Sequence, residues 1–140
     1  IDAVNELFDV GAADRSLAVS ALEFDLSVYD IFGMFSVGGA VVMAGSGPDD
    51  AADRWVELIR RHDVSILNCV PGILDMILEA GAGELGGSLR TVLLGGDWVG
   101  AELARRLQKA APGCRFAGLG GATETAIHST VCEVVGEPPA

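Results

Sequence analysis

The 140-residue sequence is poor in positive charge, and its single lysine is Lys109. Nine basic residues stand against twenty acidic ones, which gives a formal net charge of −11. This balance argues against nucleic acid or an anionic membrane surface as a partner. Any phosphate chemistry that requires a lysine must also obtain it from outside these residues, unless Lys109 supplies it.

Cysteine and histidine are also scarce and show no metal-binding spacing. The three cysteines, Cys69, Cys114 and Cys132, form no C-x-x-C pair, and His62 and His128 lack metal-ligand spacing to each other or to the cysteines. This pattern predicts reduced thiols in a cytoplasmic protein and no zinc site. No apolar run reaches the length of a membrane span, and nothing resembles a signal peptide.

Half of the residues are hydrophobic and the mean hydropathy is +0.42, which is enough apolar surface for one well-packed domain. Apolar strand patterns alternate with helical ones, and this alternation predicts an α/β fold with a parallel sheet and helices on both faces. The chain begins with Ile1, and we therefore expect an excerpt of a longer protein. The predicted strands cover residues 17–22, 40–43, 65–70, 89–94, 114–117 and 129–135.

Helices are predicted between these strands from apolar spacing and end signals. Ser27 and Asp30 have the spacing of a capping box for a helix that ends near Ser36. Asp49 and Asp50 follow a loop at 45–48 and suit a helix N-terminus, with His62 on the buried face of that helix. The other predicted helices cover residues 1–9, 71–80 and 101–111.

A glycine-rich segment follows the fifth predicted strand. Residues 118–125 read Gly-Leu-Gly-Gly-Ala-Thr-Glu-Thr, so three glycines in four residues are followed by a hydroxyl and a carboxylate. Glycines allow positive φ and a close approach of the backbone to a ligand. The hydroxyl of Thr123 suits a phosphate oxygen, and the carboxylate of Glu124 suits a magnesium ion. The segment is not the dinucleotide-binding fingerprint, because Thr123 stands where that motif needs glycine.

Other polar residues also stand where predicted strands end. Asp25, Asn68 and the Gly95-Gly96-Asp97 turn join the glycine-rich segment at the carboxyl edge of the sheet, where α/β folds bind ligands. Asp25 pairs either with a ligand ammonium or with a distant arginine or turn. Asn68 either fixes its loop or faces a small polar ligand, and Tyr29 and His128 either line the same site or serve the core.

Two segments then resemble core motifs of the amino-acid-activating adenylation domains of nonribosomal peptide synthetases. The first is Phe24-Asp25-Leu26-Ser27 with Tyr29, and the second is the stretch from Gly120 to Thr125. The Leu94–Trp98 segment between them fits the same order. The resemblance covers essentially the whole chain, and it implies a flavodoxin-like subdomain of the large adenylation core.

The resemblance also implies a role for each matching residue. Asp25 corresponds to the carboxylate that holds the α-ammonium of the substrate, Thr123 to the phosphate contact and Glu124 to the magnesium ligand. Thr123 and Glu124 are thereby the candidate catalytic residues. Gly96, Gly118 and Gly120 correspond to the nucleotide-binding backbone. The positions that line the side-chain pocket in this family are matched by Leu26, Tyr29, Asn68, Leu93, Gly95, Leu119, Ile127 and His128.

The pocket residues are similar to those of cysteine-activating domains, with two threonine-like positions. Gly95 and His128, together with Asn68, are more similar to the residues of threonine-activating pockets. The resemblance therefore implies a substrate with a small polar side chain, with cysteine ahead of threonine or serine. Gly120 departs from the aromatic residue that commonly stacks on adenine in this family. This departure puts base stacking in doubt.

The chain lacks the upstream phosphate loop and the mobile C-terminal domain of such enzymes. ATP and magnesium are therefore expected in the full-length parent, without tight binding to this piece, and the piece is predicted to be inactive alone. Expected partners are the amino acid, the rest of the adenylation domain and a carrier protein. The need for an MbtH-like helper stays open. The alternatives are a stand-alone flavodoxin-like or Rossmann-like nucleotide-binding domain and, third, a receiver-type signalling domain.

Overall fold

Six short strands form one sheet in the computed structural model, which describes residues 1–45 and 51–134. The spatial order is β2-β1-β3-β4-β5-β6, and the first five strands are mutually parallel. The strands are β1 (Arg15–Ala18), β2 (Ala40–Met43), β3 (Ile66–Cys69), β4 (Thr91–Leu94), β5 (Arg115–Gly120) and β6 (Thr130–Val134). The α/β fold class predicted from the alternating pattern is confirmed.

The last strand differs from the expected parallel arrangement. β6 pairs antiparallel with β5, with Gly118 opposite Cys132 and Gly120 opposite Thr130. Only a short turn separates the two strands, and a parallel connection would need a crossover of a dozen or more residues. The short connection therefore decides the direction of β6.

Helices connect the parallel strands and cover the sheet. Between β1 and β2 the chain forms an unbroken helical run over residues 26–36, whose middle part is a π-helical turn (Tyr29–Gly33). We call residues 26–36 the pocket helix. The α-helices are α1 (Asp2–Leu7), α2 (Leu26–Val28), α3 (Met34–Ser36), α4 (Ala51–Arg61), α5 (Pro71–Ala80) and α6 (Ala101–Ala110).

Alternate residues of each strand enter two different cores, as expected for a sheet that is covered on both faces. In β3, Ile66 packs in the cluster that contains Phe8 and Met34, on the side of α1 and the pocket helix. Its neighbour Leu67 packs in the opposite cluster, which α4, α5 and α6 cover. Asn68 has the same parity as Ile66 and therefore faces the pocket helix.

Two local predictions were wrong. Ser27 does not cap the pocket helix, because its buried hydroxyl donates to the Phe24 carbonyl at 2.7 Å, and Asp30 points into the protein instead of back to the helix start. His62 is exposed because α4 ends at Arg61. The expected loop at residues 46–48, the helix start at Asp49 and Asp50, and the strand end at Val135 lie outside the described residues.

A polar cluster at the amino ends of the strands fixes α1 and its following loop to the sheet. Arg90 Nε donates to Asp14 Oδ1 at 2.8 Å and Arg90 Nη2 to Asp14 Oδ2 at 2.6 Å, while Nη1 donates to the Phe8 carbonyl at 2.9 Å. Ser65 and the Gly11 amide also donate to the Asp14 carboxylate. Burial opposes ionisation, but these hydrogen bonds outweigh it and hold the pKa of Asp14 below its usual value.

We expect Arg90→Met to lower the free energy of unfolding of this chain by roughly 2–3 kcal/mol, because it leaves the buried Asp14 carboxylate without its main partner. Arg61→Met is the matched control, since Arg61 is exposed at the end of α4 and forms no ion pair within the described part of the chain, so its loss should cost less than about 1 kcal/mol. Urea denaturation of both variants measures the difference. Equal losses would contradict the role given to Arg90.

Candidate functional site

Four chain segments meet at the carboxyl edge of the sheet and enclose a cleft of about 330 Å³. They are the start of the pocket helix, the ends of β3 and β4, and the β5–β6 connection. We call this space the carboxyl-edge cleft. Its lining residues are Phe24, Asp25, Leu26, Val70, Gly96, Leu119, Gly121, Ala122, Thr123, Glu124, Ile127 and His128.

Asp25 lies at the N-terminal end of the pocket helix and faces the β5–β6 connection. Its carboxylate Oδ2 accepts a hydrogen bond from Thr123 Oγ1 at 2.6 Å, across 98 residues of sequence. No ion pair of Asp25 with a lysine or arginine is found in the part of the chain that the structure describes. A carboxylate has acceptor capacity for several donors, so Asp25 can still receive hydrogen bonds from a cationic ligand.

The Thr123–Thr125 turn presents the hydroxyl and the carboxylate to the cleft. It is a single 3₁₀ turn, and the Thr125 hydroxyl closes it by accepting from the Ala122 amide at 3.0 Å. Thr123 and Glu124 are both exposed, in contrast to the half-buried Asp25. The turn therefore places one hydroxyl between two carboxylates that line the same cleft.

The glycines before this turn act differently from the prediction. Gly118 and Gly120 belong to β5, and neither they nor Gly121 have positive φ. Instead, a Cβ on Gly121 would collide with the Ile127 backbone, because the returning chain passes directly against it. Antiparallel pairing with β6 thus keeps this backbone extended. Glycine is required at Gly121 because the Ile127 backbone lies too close for a side chain, and not because of a left-handed φ.

Positive φ occurs instead at the far side of the turn. Ala126 has φ of 60° and Ile127 has φ of 75°, a conformation that is uncommon for a β-branched residue. Two successive left-handed residues reverse the chain and direct Ile127 and His128 into the cleft. Strain of this kind concentrates at functional sites, where surrounding contacts maintain it.

Gly96 provides the third turn at the cleft. It has φ of +79°, and a Cβ there would lie 3.2 Å from Val70 Cγ1. The neighbouring Gly95 is buried, and a Cβ built on it would lie 3.4 Å from His128 Cε1 and 3.5 Å from Leu26 Cδ2. The missing side chain at Gly95 thus leaves space between these two side chains.

Three of the predicted pocket residues lie behind the cleft wall. Tyr29, Asn68 and Leu93 are fully buried and do not line the cleft. The Tyr29 hydroxyl donates to Asn5 Oδ1 at 2.9 Å, and its ring meets the His128 ring edge-on with centroids 6.5 Å apart. These residues therefore support the lining residues from the core side.

Asp30 is a buried acid that the sequence analysis assigned only to a helix cap. Its Oδ1 accepts from Asn68 Nδ2 at 3.3 Å, whereas its Oδ2 has no partner in the described residues. Burial raises the pKa of Asp30 to about 8, and the Asn68 hydrogen bond only partly opposes this. A signal was present in the sequence, because Asp30 falls four residues after Leu26 on the buried face of the helix.

Two further buried polar atoms in this region, Asn68 Oδ1 and His128 Nε2, have no hydrogen-bond partner among the described residues. Burial lowers the pKa of His128, although the nearby Asp25 charge acts in the opposite direction. His128 is therefore neutral at pH 7, and its Nε2 is free to donate or accept one hydrogen bond. No group of three or more metal-ligating side chains is present among residues 1–45 and 51–134.

Comparison with known proteins agrees with this geometry. Residues 1–140 match the family of AMP-binding enzymes over their whole length. The chain belongs to that family. The expected resemblance to nonribosomal peptide synthetase adenylation domains is confirmed by the relatives described below. The family match argues against the two alternatives, a stand-alone flavodoxin-like or Rossmann-like nucleotide-binding domain and a receiver-type signalling domain.

The chain is 55% identical over 127 residues to phenyloxazoline synthase MbtB of Mycobacterium tuberculosis, covering 91% of this chain and 9% of that protein. It is 48% identical over 141 residues to pyochelin synthetase PchE of Pseudomonas aeruginosa, covering 99% and 10%. The crystal structure of the nonribosomal peptide synthetase FmoA3 in its AMPPNP-bound form superposes with a TM-score of 0.91 at 36% identity, covering 97% and 15%. The chain therefore spans about a tenth of the length of the curated relatives it matches.

Within the described residues, no helix has both the length and the apolar character needed to cross a membrane. Cys69 and Cys114 are buried and Cys132 is exposed, and none of the three forms a disulfide.

We expect Asp30→Asn to make this chain more stable relative to wild type as the pH rises from 5 to 8. The folded-state pKa of Asp30 is raised, so its contribution is complete below the unfolded value near 4 and is lost as the pH rises toward about 8. Asparagine does not titrate, and the stability difference should grow by roughly 1 kcal/mol per pH unit. Urea denaturation of both proteins at pH 5, 6.5 and 8 measures it, and a constant difference would contradict a buried acid at this position.

Proposed function

We propose that this chain is the amino-acid-binding part of an ATP-dependent adenylation domain in a nonribosomal peptide synthetase. The observation that carries this proposal is the placement of Asp25, Thr123 and Glu124 in one cleft. Asp25 is distant in sequence from the adjacent residues Thr123 and Glu124, and each of the three has the chemistry that one part of the reaction needs. The relatives and the AMPPNP-bound neighbour support the same reaction class.

Asp25 binds the α-ammonium of the amino acid in this proposal. The ammonium is a donor of three hydrogen bonds, and Asp25 is a half-buried carboxylate without an arginine or lysine partner in the described residues. A charge-assisted bond in this partly desolvated place is stronger than the same bond in water. The ammonium thereby fixes the substrate carboxylate at the open side of the cleft, near Thr123.

Thr123 and Glu124 serve the nucleotide. The Thr123 hydroxyl has one hydrogen, which Asp25 accepts in this structure, so Thr123 donates to a phosphate oxygen once the substrate ammonium takes its place on Asp25. The Glu124 carboxylate would supply one oxygen ligand to magnesium, an ion that typically uses one or two carboxylates together with substrate phosphates. When bound, magnesium neutralises phosphate charge. The substrate carboxylate attacks the α-phosphorus of ATP, the bond to the bridging oxygen breaks, and pyrophosphate leaves as aminoacyl-AMP forms. This chain contributes orientation to that step.

The nucleotide base is assigned to the backbone around Gly96, Gly118 and Gly120. Gly96 lines the cleft, and its left-handed φ brings the main chain close to that space. Gly120 offers no aromatic face for stacking. Base binding by this chain therefore relies on backbone contact.

The side-chain pocket suits a small polar amino acid, with cysteine ahead of threonine or serine. Leu26 and Leu119 give it apolar walls, Gly95 leaves room at its inner side, and His128 and Asn68 supply polar atoms without partners. Another crystal structure of FmoA3, at 36% identity and a TM-score of 0.90, is in an α-methyl-L-serine-AMP-bound form, and this supports a substrate with a small polar side chain.

The remaining partners follow from this assignment. The rest of the adenylation domain completes the ATP site, and a carrier protein thiol receives the aminoacyl group. The cytoplasmic location and the absence of nucleic-acid and membrane partners, both expected from composition, stay predictions.

In the complete adenylation domain, we expect amino-acid-dependent exchange of pyrophosphate into ATP with cysteine, threonine or serine as the best substrate. Asp25→Asn should lower kcat/KM by at least about 30-fold, because it removes the charge that pairs with the ammonium. The measurement is exchange across the twenty amino acids, for the wild-type domain and the variant.

Asp63→Asn is the matched control for that experiment. Asp63 is an exposed carboxylate at the opposite edge of the sheet, 3.8 Å from Arg15, and its loss should leave exchange unchanged. Equal effects of the two substitutions would contradict the assignment of Asp25. Preference for a large aromatic or a basic amino acid would contradict the substrate class.

The isolated 140-residue chain should show no measurable exchange. Asp25 and Glu124 hold only one side of the reacting groups, and positioning of both reactants supplies most of the rate in such a reaction. The assay is the same exchange reaction with the purified chain at high concentration. Turnover by the chain alone would refute the need for the other parts of the domain.

A further inference from the structure

A buried polar pair, Asn68 and Asp30, lies directly behind the carboxyl-edge cleft, and Asp30 has no role in the mechanism above. Asn68 and Asp30 are both fully buried, and Asn68 Nδ2 donates to Asp30 Oδ1 at 3.3 Å and to the Leu26 carbonyl at 3.0 Å. Burying a carboxylic acid and an amide is costly unless their polar atoms are satisfied. One oxygen of each group nevertheless has no partner among the described residues.

The Leu26 carbonyl fixes which way the Asn68 amide faces. A main-chain carbonyl accepts only, so the nitrogen of the amide must point toward Leu26, and Oδ1 must point away from it. This assignment does not depend on whether Asp30 is ionised. Asn68 Oδ1 can therefore only accept a hydrogen bond, and no group in the described residues donates one to it.

Asp30 takes the second hydrogen of the same amide group and is itself firmly held. It lies in the π-helical turn Tyr29–Gly33, and its carbonyl accepts from the Ser16 hydroxyl on β1 at 3.0 Å. π-turns of this kind are frequent at functional sites. With both amide hydrogens occupied, the side chain of Asn68 has one orientation.

The unused acceptor belongs to the layer directly behind the wall of the carboxyl-edge cleft. Asn68 is bonded to the backbone of Leu26, whose side chain lines the cleft and approaches Gly95. In the sheet, Asn68 is level with Leu93, two residues before Gly95 on the neighbouring strand. A small side chain that extends inward past Gly95 would approach this layer.

We propose that Asp30 is a positioning residue for substrate selection: it holds the Asn68 amide so that Oδ1 accepts the hydrogen bond of a β-hydroxyl or β-thiol on the substrate. This inference rests on the proposed function, because it requires a small polar amino acid as substrate. A buried acceptor left unpaired rejects an apolar isostere more strongly than pocket size alone does. Asp30 thus contributes to specificity without contacting the substrate.

The test compares Asp30→Leu with Asp30→Asn in the complete adenylation domain. Pyrophosphate exchange gives kcat/KM for the best polar amino acid and for its apolar isostere, and the measured quantity is the ratio of these two values. The isostere is 2-aminobutyrate for cysteine or serine, and valine for threonine. Asp30→Leu keeps the size but removes the acceptor, and the ratio should fall about tenfold through a higher KM for the polar substrate. Asp30→Asn retains an acceptor for Asn68 and should keep the ratio within about twofold.

A purely structural role of Asp30 gives a different result. Activity would then fall equally for the polar substrate and its isostere, and the unchanged ratio in Asp30→Leu would overturn the inference while leaving the proposed function intact. A similar fall of the kcat/KM ratio in Asp30→Asn would also overturn the inference. If Asp30→Leu does not fold, Asp30→Ala replaces it, with the same expected fall. If the wild-type domain activates no small polar amino acid, the proposed function and this inference fail together.

Discussion

The hydrogen bonds that attach the pocket helix to the sheet determine where Asp25, the proposed partner of the substrate ammonium, lies. Asn68 on β3 donates to the first turn of that helix, and Ser16 on β1 donates to its π-helical turn. Apolar packing alone would let a helix slide or rotate on a sheet, because hydrophobic contact is non-directional. These polar contacts fix both position and rotation, and they leave Asp25 at the carboxyl edge, opposite the Thr123–Thr125 turn.

The β5–β6 connection provides the opposite wall and depends on a different constraint. An antiparallel partner for β5 brings the chain back within a few residues, which requires glycine at Gly121 and left-handed conformations at Ala126 and Ile127. The hydrogen bond between Thr123 and Asp25 then joins the two walls. One wall is thus fixed by helix docking and the other by a tight reversal, and the cleft is the space between them.

Sequence patterns predicted the parts of this arrangement that depend on local chemistry. The bounds of β2 and α5 agree with the prediction residue for residue, because Pro71 marks the helix start and a glycine pair precedes the strand. Helix-cap spacing failed at Ser27 and Asp30, since tertiary burial of that face outweighs a local capping preference. The direction of β6 follows from its short connection to β5, which strand periodicity alone does not take into account. The buried pair of Asp30 and Asn68 depends on contact between distant segments, which periodicity does not contain.

The charge of the carboxyl-edge cleft completes the argument about its ligands. Its described lining includes two carboxylates, Asp25 and Glu124, and no lysine or arginine. A triphosphate placed beside these groups would be repelled unless cations come with it, and electrostatic repulsion of this kind strengthens as water is excluded. An amino acid brings one cation as its ammonium, and magnesium brings another with the nucleotide. In the proposed function, the cleft is therefore suited to both ligands together, and phosphate binding by fixed positive charge would come from other parts of the adenylation domain.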